Sequence, residues 1–120
     1  MRFEDLDTWK QARGLVRDIY SPCRDEKLGK DYGLRDQIQR ASVSVMNNVA
    51  EGFERTGKHE KLHFYNIARA STGEVRSLLY IVEDNFFYLA DPAANVRNAA
   101  VGTGKLISGL ITSTQKRASQ

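Results

Sequence analysis

Between Lys58 and Leu89 the chain repeats every seven residues: Phe64, Ser71 and Leu78 form one line, and Ala68, Val75, Val82 and Leu89 a second. A seven-residue spacing returns side chains to nearly the same face of a helix. Helices built on it pack almost parallel or antiparallel, with a slight left-handed supercoil. The period predicts a helix over 58–89, closed by Asp91-Pro92. It is the wrong period for a strand, which needs alternation of two, and no other stretch of the chain alternates that way.

Three more segments carry helical spacing. Over 6–23, Leu6, Trp9, Val16, Tyr20 and Cys23 recur at helical intervals, with Ala12, Leu15 and Ile19 widening the stripe. Asp5 and Asp7 suit the positive end of that helix, and Ser21-Pro22 ends or kinks it. The polar, glycine-containing stretch from Arg24 to Gly33 reads as a loop. Over 34–53, Leu34, Ile38, Ala41, Val45 and Val49 form one stripe, while Val43, Met46, Ala50 and Phe53 make the other side apolar too. A helix apolar around most of its circumference is buried on two sides. One side can face the rest of a small bundle; the other calls for a second subunit.

The fourth segment, 93–116, places Val96, Ala100, Ile107, Leu110 and Ile111 at helical spacing. Gly102, Gly104 and Gly109 each cost a helix about 1 kcal/mol relative to alanine. Packing must therefore hold this helix, and its small residues point to a close neighbour. Four helices over 6–23, 34–53, 58–89 and 93–116 with short connections predict an all-α, antiparallel up-and-down four-helix bundle. It forms a single domain over 1–120.

The 120 residues suffice for one core. The chain opens on a charged amphipathic segment with no leader-like apolar stretch, and no apolar run approaches the roughly 20 residues that cross a bilayer. A single cysteine, Cys23, cannot form an internal disulfide and reads as a small apolar residue at a helix end. The expected location is the cytoplasm, with no membrane partner. Net charge is +3, unevenly placed: all 15 acidic residues precede Pro92, while Arg97, Lys105, Lys116 and Arg117 follow it. Such a basic segment suits a polyanion, or simply keeps a tail soluble.

On a helical wheel Lys61, Tyr65, Arg69, Arg76 and Tyr80 fall within about 60° of Lys58, at roughly 100° per residue. Cations in a line can follow phosphates, and tyrosines between them can stack on bases. The other reading is a solvated face with snorkelling side chains. No pattern for specific base readout is present. The second helix also carries a polar line of Gln37, Ser44, Asn48 and Glu51 beside Arg40 and Arg55. Without a nucleophile–base arrangement around them, these groups read as setting register and oligomer state. Gln37, Arg40, Ser44, Met46, Asn48, Glu51 and Phe53 are the expected oligomer residues. Glu51-Gly52 suggests a glycine cap or a close helix contact.

His59-Glu60-Lys61-Leu62-His63 is a literal H-E-x-x-H, the pattern that places two imidazoles and a general base about a zinc ion. It opens its helix, and the chain has no third histidine. The wheel turns both rings away from the apolar stripe, so two exposed histidines are the preferred reading. No metal, cofactor or catalytic residue is expected.

The stretch Leu34 to Gly52, with Gln37, Arg40, Ala41, Ser44, Asn48, Ala50, Glu51 and Gly52, resembles the signature of a family of four-helix-bundle proteins. That family is named for intervening sequences of bacterial large-subunit (23S) ribosomal RNA genes. Phe3 to Trp9 with Ile19-Tyr20 is similar to its first helix, and Phe64 to Glu74 to its third. Ala70 and Gly73 depart from its pattern, which has glycine and alanine near those places. The resemblance implies an up-and-down bundle, commonly a homopentamer, without enzymatic activity. Its relatives include accessory proteins of diversity-generating retroelements, which bind nucleic acid and a reverse transcriptase. The expectation is therefore a homo-oligomeric bundle associated with RNA or DNA, or with a reverse transcriptase. A protein-only scaffold is the alternative.

Overall fold

The computed structural model describes residues 1–117. Four helices account for most of them: α1 (Asp7–Tyr20), α2 (Tyr32–Glu54), α3 (Lys58–Asn85) and α4 (Ala90–Gln115). Each packs on its neighbours in chain order, α1 on α2, α2 on α3, α3 on α4, and α4 back on α1. The result is the up-and-down four-helix bundle, 50 × 21 × 19 Å in extent, with no strand among the described residues.

The ends of the helices follow local chemistry. Pro22 stops α1 at Tyr20 and opens a short 3-10 turn, Pro22–Arg24. The following loop is tied down: the Asp25 carboxylate accepts from the amides of Lys27 and Leu28, and Leu28 is fully buried. Gly29 is needed there, since a Cβ would lie 2.8 Å from the Cys23 carbonyl oxygen. Asp31 caps α2 by accepting from the Leu34 amide. Three expected boundaries move by three residues or more, the first being the end of α1, at Tyr20 rather than 23. The third helix ends at Asn85 rather than 89, because Phe86 leaves helical geometry and Phe87–Leu89 forms a 3-10 turn. The fourth starts at Ala90, so Pro92 lies in its first turn, where a missing amide hydrogen costs nothing.

Each helix buries the face that touches two neighbours. In α1 the centre of the buried stripe is Ala12, Leu15 and Ile19, while Tyr20 is exposed and Val16 only half-buried. In α3 the two expected lines are joined by a third, Tyr65, Thr72 and Leu79, because α3 packs on both α2 and α4. On the second side of α2, Met46, Ala50 and Phe53 are half-buried within this chain, Met46 and Ala50 against the core. Large apolar side chains left exposed lie elsewhere, among them Ile67 and Ile81 on α3 and Val101 and Leu106 on α4.

One close approach sets the α2–α3 contact. Gly52 sits inside α2 with ordinary helical backbone, and a Cβ there would lie 2.6 Å from two ring carbons of Tyr65. The glycine is a helix contact, not a cap. At the opposite end of the bundle, Tyr88 donates its hydroxyl to the Asp25 carboxylate, joining the α3–α4 turn to the α1–α2 loop. That bond pushes the Tyr88 hydroxyl up to about 12 and holds the Asp25 carboxyl below its usual range.

The sign of the resulting pH dependence follows from these two shifts. A lowered carboxyl contributes stability that is lost as pH falls through its folded value. A raised phenol contributes stability that is lost as pH rises from about 10 towards its folded value. Tyr88→Phe should therefore lower the melting temperature across neutral pH. Its difference from wild type should shrink below about pH 4 and above about pH 10, where the bond is already weakened in wild type. Thermal melts across that range check this, and a pH-independent difference would contradict it.

Candidate nucleic-acid interface

The expected stripe on α3 does not stay together in space. Tyr65 is buried beneath Gly52 and α2, so it is no platform for a base, and burial raises its hydroxyl pKa. Lys61 turns to the C-terminal end of α2, donating to the carbonyls of Gly52 and Phe53 at 3.2 and 2.8 Å. It serves there as the cation that helix C-termini favour, with its ammonium 5.5 Å above the Phe53 ring. Desolvation, then the nearby Arg117 charge, lowers its pKa. Lys58 donates to the Arg117 carbonyl across the end of the bundle.

Arg69 and Arg76 behave differently. Both are exposed, and both border a groove of about 420 Å³ between α3 and α4. Its lining adds Lys105 and Ser108 from α4, and its walls are Ala70, Gly73, Ala100, Val101 and Gly104. The small residues make the groove. Gly104 lets α4 approach so closely that a Cβ would meet the Thr72 hydroxyl at 3.1 Å, while Gly73 has open space above it. No carboxylate lines the groove. Arg69 bonds only a neutral group, Asn66, and neither Arg76 nor Lys105 makes an ion pair among the described residues. Three cations facing one trough, unneutralised by the chain, present a surface that an anionic polymer can occupy.

Lys105 was visible as part of the acid-free C-terminal segment, but a wheel drawn for α3 alone could not place it beside Arg69 and Arg76. Arg97, from the same segment, is withdrawn from solution. Its guanidinium makes two bonds of 2.8 and 2.9 Å to Glu83 and lies 4.3 Å from the Tyr80 ring centre. That pairing lowers the Glu83 pKa and ties α4 to α3. Tyr80, expected beside the cations, is half-exposed but occupied by this contact.

The other expected residues gather on α2. Gln37, Arg40 and Ser44 line a smaller notch with Ala41 and with Glu74 of α3. The Ser44 hydroxyl meets that of Ser71 at 2.8 Å, and Asn48 donates to the Ser44 carbonyl and hydroxyl. These polar groups satisfy one another across the α2–α3 contact, and no histidine or carboxylate bonds either hydroxyl among the described residues. Glu51 pairs with Arg55. His59 and His63 are both exposed, and His63 packs edge-on against Phe64. No group of three metal-ligating side chains gathers among the described residues. Cys23 is buried, and desolvation raises its thiol pKa. No helix among the described residues is long and apolar enough to cross a membrane.

Fold and groove together define a class: an all-α four-helix bundle that carries a basic trough on its α3–α4 side. Residues 4–109, which reach into all four helices, match the model of the 23S rRNA-intervening sequence protein family. The chain belongs to that family. No individual curated protein matches it.

Proposed function

We propose that this protein is a non-enzymatic, self-associating bundle that binds nucleic acid through its α3–α4 side, with RNA as the first ligand to test. The observation that carries the reading is the trough bordered by Arg69, Arg76 and Lys105 with no carboxylate in its lining. The family's name, which links its members to intervening sequences of 23S rRNA, supports the choice of RNA. Exposed isoleucines on α3 and exposed Leu106 on α4 support self-association, since apolar surface of that kind is covered when copies meet.

The contact is expected to be to phosphates. Buried Tyr65 leaves the trough without an aromatic in its lining, so cations do the holding and sequence matters little. The test is retention of a structured RNA on a filter at low salt, with the dissociation constant followed as salt is raised. Binding that weakens steeply with salt is the expected result. An absence of retention at low salt removes the role.

A further inference from the structure

The isoleucines on α3 are not scattered. Ile67, Glu74 and Ile81 recur at seven residues, so they lie on one line down the outer face of α3. Ile67 is 36% exposed and Ile81 44%. Glu74 sits between them at the mouth of the α2–α3 notch, beside Arg40. The line is a ridge with an apolar knob above and below a central acid.

A concave counterpart lies on another side of the same bundle. Between α1 and α4 runs a groove of about 580 Å³, bordered by Lys10, Gly14 and Arg17 of α1 and by Ala99 and Leu106 of α4. Gly14 leaves it wide, and Leu106, 39% exposed, lends it an apolar wall. Its heights match. The α1–α4 groove sets residues 7–18 of α1 beside 99–106 of α4, and the α3–α4 trough sets residues 69–76 of α3 beside 100–108. Glu74 and the Lys10–Arg17 stretch thus stand at one level along the bundle.

Their charges match as well. Asp7, Lys10, Arg17 and Asp18 border the groove, Arg40 and Glu74 flank the ridge, and none of these six makes an ion pair within the described residues. A like ridge on a two-fold partner would set Glu74 against Glu74; the groove offers Lys10 and Arg17 instead.

Building on the self-association read above, we propose that the α3 ridge of Ile67, Glu74 and Ile81 seats in the α1–α4 groove of a second copy of this chain. Ridge and groove are different surfaces, so the contact is head-to-tail and propagates from copy to copy until it closes. It leaves the α3–α4 trough free for its polyanion.

Charge exchange on the full chain tests the inference, with mass read by light scattering and helicity by circular dichroism. Glu74→Lys alone, and Lys10→Glu with Arg17→Glu, should each reduce the mass to that of one 13.6 kDa chain without loss of helix. Joining all three substitutions should restore the wild-type mass. If Glu74→Lys keeps the wild-type oligomer, or the joined variant stays dissociated, the ridge and groove are not the contact. A wild-type protein that is itself a single chain overturns self-association as a whole.

Discussion

Replacing Gly52 with alanine is expected to destabilise the protein by about 3 kcal/mol, the upper part of the range for overpacking a core. The added Cβ would lie 2.6 Å from two carbons of the Tyr65 ring. An exposed ring would swing aside, but Tyr65 is only 3% exposed and is walled in by the bundle. Either α2 and α3 separate or the ring leaves its site and opens a void. Urea denaturation checks this: the midpoint should fall with little change of slope. Tyr65→Leu in the same chain should recover part of the loss, because a smaller side chain admits the new methyl group. A Gly52→Ala protein as stable as wild type would show that the two helices are not in this register.

Removing the charges of the trough, Arg69→Gln with Arg76→Gln and Lys105→Gln, should weaken RNA binding on the order of a hundredfold at low salt. It should also reduce the slope of log affinity against log salt by roughly 2 to 3, since each phosphate contact contributes just under one unit. All three side chains are exposed, so the melting temperature should hardly move. Lys61→Gln makes a useful contrast. Its ammonium is occupied by the carbonyls of Gly52 and Phe53, so this change should lower stability more than binding. Equal loss of binding from both sets would mean that net charge, rather than the trough, attracts the RNA.

The bundle itself was legible because periodicity is a property of one helix at a time. The stripe Leu34, Ile38, Ala41, Val45 and Val49 is buried as its spacing demands, and so are Ala68, Val75 and Val82. What periodicity could not supply was which neighbour covers which face. On a wheel Met46 and Phe53 are simply surplus apolar groups on α2, whereas in the folded chain both are half-buried. Tyr65 and Lys61 looked like companions of Arg69 on a wheel too. Tyr65 packs on α2 across Gly52, Lys61 caps the end of α2, and Arg69 and Arg76 border the trough shared with α4. The trough joins Arg69 and Arg76 to Lys105, far off in the sequence, so it exists only after α3 and α4 have docked. The placement of Gly104 against Thr72 was the part of that docking foreshadowed by the small residues of the fourth segment.

The first helix has 14 residues and the third 28, which at about 1.5 Å per residue makes α1 half as long. Its loop is pinned to the α3–α4 turn by Tyr88 and Asp25, and buried Cys23 and Leu28 carry the α1 layer on towards that end. Towards the other end α1 gives way to the short Phe3–Asp5 turn, so Lys61, Tyr65 and the α2 terminus have less helix around them. Opening free energies are graded in such a rod, lowest where fewest side chains must part company. The protein should breathe from the end that holds Gly52 while the Tyr88 end stays shut, and the trough, midway along, straddles the two regimes.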